Sequence, residues 1–336
     1  MPVEQNYSLK PFNTFGIDAF AEKFIRISDE DTVIDIIRQK YEPIYILGGG
    51  SNILLTQDIE GYVLKNEIKG IHIISENDDE LIVEVGAGEE WHQFVMWSLS
   101  HELSGLENLS LIPGTIGAAP MQNIGAYGVE QESCFVWLSA INLKDASVHH
   151  FDKASCNFGY RESVFKKELK NMFFITRVQY RLKKRNHELH TGYGAIQDIL
   201  KTKGILSPTI REVSAAIIEI RKSKLPDPDL IGNAGSFFKN PIVADAIFQS
   251  LKLQYPEIPH YRVSEDDVKI PAGWLIEQAG YKGKTFGNIG VHKDQALVLV
   301  NYGGGNGNDI KKLAAEIQAR IESQFGIKIH PEVNFW

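Results

Sequence analysis

Residues 111–128 read Leu-Ile-Pro-Gly-Thr-Ile-Gly-Ala-Ala-Pro-Met-Gln-Asn-Ile-Gly-Ala-Tyr-Gly, and their reading decides that of the whole chain. Four glycines, three alanines and two prolines fall within these eighteen residues, and the Tyr127 phenol is the only ionisable side chain. Glycine lets a backbone approach a ligand closely. Proline fixes φ and removes a donor. The composition is that of a backbone wall pressed against something flat or bulky. Gln122 and Asn123 are the side chains able to hydrogen-bond polar edges. A solvent-facing loop is usually richer in Ser, Asp and Lys, whereas Leu111, Ile112, Ile116, Met121 and Ile124 argue for burial.

Upstream of the wall, apolar alternation at Phe24, Ile25 and Ile27 predicts a strand. Ser28 with Asp31 predicts a capping box, Ser28 being the N-cap. The helix that follows puts Val33, Ile34 and Ile37 on one face. Ile44–Leu47 reads as a buried strand running into Gly48-Gly49-Gly50-Ser51-Asn52. A glycine turn there can aim consecutive backbone N–H groups at a phosphate. Short strands follow at 62–64, 71–74 and 81–85, then a helix over 90–101 with Trp91, Phe94, Val95 and Leu99 inward. Downstream, 135–151 and 172–182 read as strands, and 183–187 as a basic connector before a domain boundary. Ser207 is expected to cap a helix with its stripe at Ile210, Val213, Ile217 and Ile220. Asn233-Ala-Gly-Ser-Phe-Phe-Lys-Asn-Pro241 is a second small-residue motif. A helix over 272–279, a strand over 296–300 and a helix over 309–325 complete this part.

The 336 residues have ample material for two or three domains. Their net charge of -8 argues against a general nucleic-acid binder, since no basic excess exists to neutralise phosphates. A local cationic cluster can still hold a phosphorylated small molecule. The two cysteines, Cys134 and Cys156, form no C-x-x-C pair, and no disulfide framework or zinc site is indicated. The N-terminus lacks the pattern of a signal peptide. No uncharged apolar run approaches the roughly 18 residues needed to span a bilayer, so a cytoplasmic location with no membrane partner is expected.

No G-x-G-x-x-G, P-loop, H-E-x-x-H or G-x-S-x-G occurs. His101-Glu102 reads as helix-end surface and His149-His150 as solvated, so no metal is expected. What remains are separated polar residues in small-residue settings: Arg161 after Gly159-Tyr160, Ser236 after Gly235, and Glu332 between Pro331 and Val333. Taken singly, each has an ordinary reading as a surface arginine, a cap serine or an exposed glutamate. Together over a flat cofactor they suit one reaction class. Arginine can hold a carboxylate and stabilise an enolate, serine can deliver a proton, and glutamate can set the local electrostatics.

These motifs resemble the UDP-N-acetylenolpyruvoylglucosamine reductase family, type I branch. The matching segments are 48–52, Val-Gly-Ala-Gly at 85–88, Gly-Leu-Glu-Asn-Leu at 105–109, the wall, Phe-Gly-Tyr-Arg-Glu-Ser at 158–163, Gly-Asn-Ala-Gly-Ser-Phe-Phe-Lys-Asn-Pro at 232–241, and Pro-Glu-Val at 331–333. They run in family order from about residue 12 to 335. Tyr193-Gly194, in an inserted loop, carries the likeness to the type I branch.

The resemblance implies an α+β fold. An FAD-binding half of the vanillyl-alcohol-oxidase/PCMH type spans 12–187, with subdomains of about 12–66 and 67–187. A C-terminal α+β substrate-binding domain spans 207–328, and a segment, 329–336, returns to the active site with Glu332. It implies non-covalent FAD, with Gly48, Gly49, Gly50, Ser51 and Asn52 at the pyrophosphate. Pro113, Gly114, Gly117, Gln122, Asn123, Gly125, Ala126 and Tyr127 would line the flavin and its ribityl chain. Tyr160, Tyr193, Arg221, Lys224, Asn240, Tyr261, Lys282 and Gln295 would hold or flank the UDP-sugar.

The implied reaction takes NADPH as co-substrate. It reduces the enolpyruvyl ether of UDP-N-acetylglucosamine to UDP-N-acetylmuramate, a step of peptidoglycan precursor synthesis. Arg161 and Glu332 would stabilise the enolate-like intermediate and Ser236 would protonate it. A monomer is expected from the family. Asn334 departs from the pattern, standing where relatives often carry arginine. Phe335 and Trp336 are expected to anchor Glu332. Two alternatives stay open: an oxidase of the same FAD fold acting on an alcohol or sugar, and a nucleotide-sugar sensor without catalysis.

Overall fold

A computed structural model describes residues 2–336. The chain forms two compact units. The first takes in Ala21–Gly50 and Ile59–Ser223 with the N-terminal residues up to Tyr7; the second takes in Ser8–Phe20, Ser51–Asp58 and Lys224–Trp336.

In the first unit the strand Phe20–Ile27, the helix Glu30–Arg38 and the strand Ile44–Leu47 form the expected β-α-β. Both strands pair in parallel with Ile59–Asn66, which lies between them. Ile25, Ile27, Leu64, Val33, Ile36 and Ile37 close a core between helix and sheet. The helix is capped by Asp29, whose carboxylate accepts from the Thr32 amide at 2.8 Å, so the cap lies one residue past the expected Ser28. Such a cap is worth about 1 kcal/mol.

The second sheet of this unit is antiparallel, ordered Val148–Asp152, Phe135–Asn142, Phe173–Lys183, Glu80–Gly86, Ile71–Glu76. The stretch expected as one strand over 135–151 is a hairpin. Its turn is set by Asp145, which accepts from the Ser147 amide, and by Ala146 at φ 62°. The helix Trp91–Ser100 lays Trp91, Phe94, Val95 and Leu99 into the sheet's core, where Trp91 and Phe94 pack against Tyr180.

The helix Ile210–Lys224 also belongs here, although the reading by resemblance places it in the C-terminal domain. Val213, Ala216, Ile217 and Ile220 pack against Ile196 and Leu200 of the helix Gly194–Thr202, and Ile210 joins the main core. Its N-cap is Thr209 rather than Ser207. Thr209 and Glu212 exchange side-chain-to-backbone bonds as a capping box.

The second unit holds a sheet ordered Gly232–Asn233, Leu299–Asn301, Ile289–Val291, Thr285–Phe286, and a three-stranded one of Ile242–Ala244, Asp267–Lys269 and Tyr261–Arg262. The helices Asp245–Gln254, Ala272–Gln278 and Gly307–Phe325 accompany them. Residues 8–20, of which 12–20 are expected with the FAD half, belong to this unit, and their backbone is used there. The Phe15 carbonyl accepts from Asn301 Nδ2 at 2.8 Å, and the Thr14 carbonyl from the Asn233 amide at 2.9 Å. Residues 53–54 form a parallel pair with Asn334–Phe335. Among the described residues, no helix is long and apolar enough to cross a membrane.

Candidate active site

In the first unit the wall is a chain of tight turns bound to the glycine segments beside it. Gly117 N–H donates to the Ala87 carbonyl at 2.8 Å, Ile116 N–H to Glu89, and the Gly114 carbonyl accepts from Trp91 N–H. The Gly48–Gly50 loop lies directly on the wall: a Cβ on Gly49 would sit 2.7 Å from Gly114 Cα. Two backbones at that separation leave no room for any side chain. The glycines thus serve contact between loop and wall as well as access to a ligand. From behind, Lys65 Nζ donates to the Gly48 carbonyl at 2.8 Å. Burial pulls the Lys65 pKa below the ordinary lysine value. The amides of Gly49 and Gly50 have no acceptor among the described residues.

Asn123 is fully buried at φ 44°. Its Nδ2 donates to Glu130 Oε2 at 2.8 Å and to the Gly159 carbonyl at 3.3 Å, while its Oδ1 accepts from Gln131 Nε2 and the Glu132 amide. Both donors and the acceptor are used inside the protein. Through these bonds the Asn123 side chain ties the wall to Glu130, Gln131 and Gly159.

Arg161, at φ 58°, reaches back to the wall. Its Nη2 donates to the Gly125 carbonyl, its Nη1 lies 3.8 Å from Glu130 Oε1, and its guanidinium stands 5.4 Å from the Tyr160 ring centre. A Cβ on Gly125 would lie 2.7 Å from Glu130 Cγ and 2.9 Å from Arg161 Nη1, so only glycine leaves these groups in place. Tyr127 meets Tyr193 edge to face, ring centres 5.4 Å apart. Tyr193 directly precedes the helix Gly194–Thr202, which defines the expected loop. Arg221, expected beside the UDP-sugar, donates through Nε to the Leu111 carbonyl at 3.2 Å.

In the second unit, Ser236 is exposed, between the half-buried Gly235 and the buried Phe237. Asn233 Oδ1 accepts from Gly235 N–H at 2.9 Å, and Gly235 takes φ 67°. After Ser236, Phe237 and Phe238 plunge into the core, with Phe237 N–H donating to Leu297 at 2.8 Å. Among the described residues the Ser236 hydroxyl has no hydrogen-bond partner. Residues 330–332 run antiparallel to this strand: Lys239 N–H donates to His330, and Glu332 N–H to the Phe237 carbonyl at 2.8 Å. Glu332 is thereby fixed one residue from Ser236.

The segment after Glu332 is held through its backbone. Asn334 donates from both its amide and Nδ2 to the Asn52 carbonyl, and the Trp336 carbonyl accepts from the Thr56 amide at 2.7 Å and hydroxyl at 2.6 Å. Asn52 Nδ2 reaches the Glu332 carbonyl at 3.4 Å. Phe335 packs 6.2 Å from Phe237.

Of the remaining expected substrate residues, Asn240 Oδ1 accepts from the Ala272 amide at the start of the helix Ala272–Gln278. Lys282 pairs with Glu277 at 2.9 Å. Tyr261 is exposed under Lys269, 5.9 Å from its ring centre. Lys224 is exposed, and Gln295 Oε1 accepts from the Leu297 amide. Sequence reading missed Lys65, Glu130 and His92. Lys65 carried a signal: a lysine following the apolar run Tyr62-Val63-Leu64 of a strand.

Residues 21–152 match a family model described as FAD binding domain, and residues 227–336 match the model of the UDP-N-acetylenolpyruvoylglucosamine reductase C-terminal domain. A solved UDP-N-acetylenolpyruvylglucosamine reductase from Thermus caldophilus shares the fold, with TM-score 0.69 at 22% identity over 100% of this chain and 99% of that one. Proteins named UDP-N-acetylenolpyruvoylglucosamine reductase are 52% identical in Flavobacterium johnsoniae, over 99% of both chains, and 46% identical in Pseudomonas aeruginosa, over 100% of this chain and 99% of that one. Identity at that level along the whole of both chains, with the family's own C-terminal model matching here, means that the chain belongs to the UDP-N-acetylenolpyruvoylglucosamine reductase family.

Proposed function

We propose that this protein reduces the enolpyruvyl ether of UDP-N-acetylglucosamine to its lactyl ether, UDP-N-acetylmuramate, with NADPH as reductant and non-covalent FAD as cofactor. The observation that supports this most is the backbone pairing that fixes Glu332 beside Ser236, on a strand whose next two side chains are buried. A proton donor has to be both exposed and held, and this strand makes it so.

The residues fit FAD. Gly49 and Gly50 offer two amides without acceptors, Lys65 adds a cation behind them, and the wall presents backbone and small side chains. Bound FAD would supply the two-electron chemistry that carries hydride equivalents from NADPH to the terminal vinyl carbon. The chain's residues do the rest. Arg161 holds the substrate carboxylate by a charge-assisted contact and stabilises the enolate-like charge. Glu332 sets the field at that carbon. Ser236 Oγ gives its proton to the carbon bearing the carboxylate, completing the saturated ether. Tyr193, Lys224, Asn240, Tyr261, Lys282 and Gln295 contact or flank the UDP-sugar. The FAD-binding half is drawn mainly from 12–187 and the substrate half mainly from the second unit, with the helix Ile210–Lys224 serving the cofactor side.

Loss of NADPH absorbance, followed with and without the enolpyruvyl substrate after the flavin spectrum is recorded, tests this. Sustained oxidation only with substrate supports it. Turnover with oxygen that ignores the substrate points to an oxidase, and a protein that takes up no FAD overturns the cofactor assignment.

A further inference from the structure

The wall begins at Leu111, a bulky residue at φ 58°, a conformation that L side chains rarely adopt. Such backbone persists only where its surroundings over-determine it. Both peptide groups of Leu111 are held. Its N–H donates to His92 Nδ1 at 2.9 Å, and its carbonyl accepts from Arg221 Nε at 3.2 Å. The preceding residue is held as well: Ser110 Oγ lies 2.7 Å from Ser214 Oγ, both buried. Ser214 and Arg221 are seven apart on the helix Ile210–Lys224, so one helix face grips the first wall residue and the residue before it. Near the other end of the wall, burial raises the Tyr127 pKa and the Arg221 charge opposes that rise.

A guanidinium whose Nε is spent on a backbone carbonyl of the wall is committed to that wall through one of its donors. We propose that Arg221 is a positioning residue of the cofactor wall: with His92 and Ser214 it clamps Ser110 and Leu111 at the start of the wall, and it contacts no part of the nucleotide sugar. This rests on the reading of residues 111–128 as the flavin wall.

The experiment uses the full-length chain, stripped of flavin and titrated with FAD by flavin fluorescence. Alongside, amide hydrogen exchange over residues 109–128 is measured in the stripped protein. For Arg221→Met, FAD affinity should fall about 10- to 100-fold, the range of a lost supporting contact, and wall amides should exchange faster. KM for the UDP-sugar at saturating FAD should hold, and Arg221→Lys should recover part of the loss. Where Arg221→Met fails to fold, Ser214→Ala and His92→Ala read the same clamp through exchange. Unchanged FAD affinity and exchange, with KM for the UDP-sugar raised, would overturn the proposal in favour of a substrate contact; unchanged values throughout would overturn it outright. Should the unaltered protein take up no FAD, the functional reading falls, while exchange at the wall still decides the clamp.

Discussion

Glu130 stands between Arg161 and Asn123: its Oε1 lies 3.8 Å from Arg161 Nη1 and its Oε2 accepts from Asn123 Nδ2 at 2.8 Å. One carboxylate therefore ties the proposed enolate-stabilising cation to the most deeply buried polar residue of the wall. Gly125 supplies the space for this arrangement. In Gly125→Ala, the new methyl displaces Glu130 and Arg161 and meets the Val129 carbonyl at 2.9 Å. Turnover should fall about 100-fold, the cost of an ångström-scale misplacement, while the flavin spectrum persists. Full activity in Gly125→Ala would show that Arg161 need not stand where it does.

Ser236→Ala should lower turnover about 100- to 10,000-fold. The Ser236 hydroxyl makes no bond on which the fold depends, so thermal stability should hold. Stopped-flow reduction of bound flavin by NADPH should be retained. A variant that reduced the substrate at the normal rate would remove Ser236 from the proton-donor role.

The backbone grip on the C-terminal segment predicts the effect of removing Phe335 and Trp336. Thr56 would lose both its bonds to the Trp336 carbonyl, and Leu54 its strand partner Phe335. Activity should drop more than FAD content, because Glu332 depends on this segment for its position. Equal activity would refute the anchor. Thr56→Val, which deletes one hydroxyl bond, should cost only about 1 kcal/mol in urea unfolding.

His92 gives a pH dependence. Burial lowers its pKa, with Arg221 and Lys222 adding to the shift and Glu90 opposing it. Its Nδ1 accepts from Leu111 N–H, which only the neutral ring can do. Because the folded value lies below the ordinary histidine value near 6.5, the unfolded chain binds the proton first. The stability from neutral His92 is whole above pH of about 6.5 and is lost as pH falls through the lowered folded value. His92→Asn, which keeps an acceptor but does not titrate, should flatten part of the decline in melting temperature. His292, also lowered by burial, and the carboxylates held below their ordinary values, such as Asp29, keep a share of the decline. Parallel declines in both proteins would rule His92 out.

Much of this was legible in the residues because periodicity and glycine placement are local signals. The β-α-β around Val33 and Ile37, the turn at Gly48–Gly50 and the inward face of Trp91 and Phe94 follow from spacing alone. Caps were misplaced by one or two residues because Ser28 and Asp29, or Ser207 and Thr209, are chemically equivalent choices. The backbone decides: Asp29 is extended at φ -151°, ψ 164°. The roles of Asn123 and Arg221 were hidden for another reason. Glu130, Gly159 and Leu111, which use up their hydrogen bonds, are set by tertiary packing rather than neighbouring sequence. The same holds for Thr14 and Phe15, whose carbonyls serve strands more than 200 positions on.

The pairing of Ile53–Leu54 with Asn334–Phe335 has a consequence for synthesis. Every segment of the first unit has been synthesised once Ser223 is made. The second unit needs Thr56 to find Trp336 across 280 residues of intervening chain. Loop closure over such a span is slow, and it leaves a strand edge open to other chains until it occurs. A nascent or nicked polypeptide would thus carry a finished wall and an unfinished proton-donor strand. The time between those two states is when chaperones and proteases have their chance to act on it.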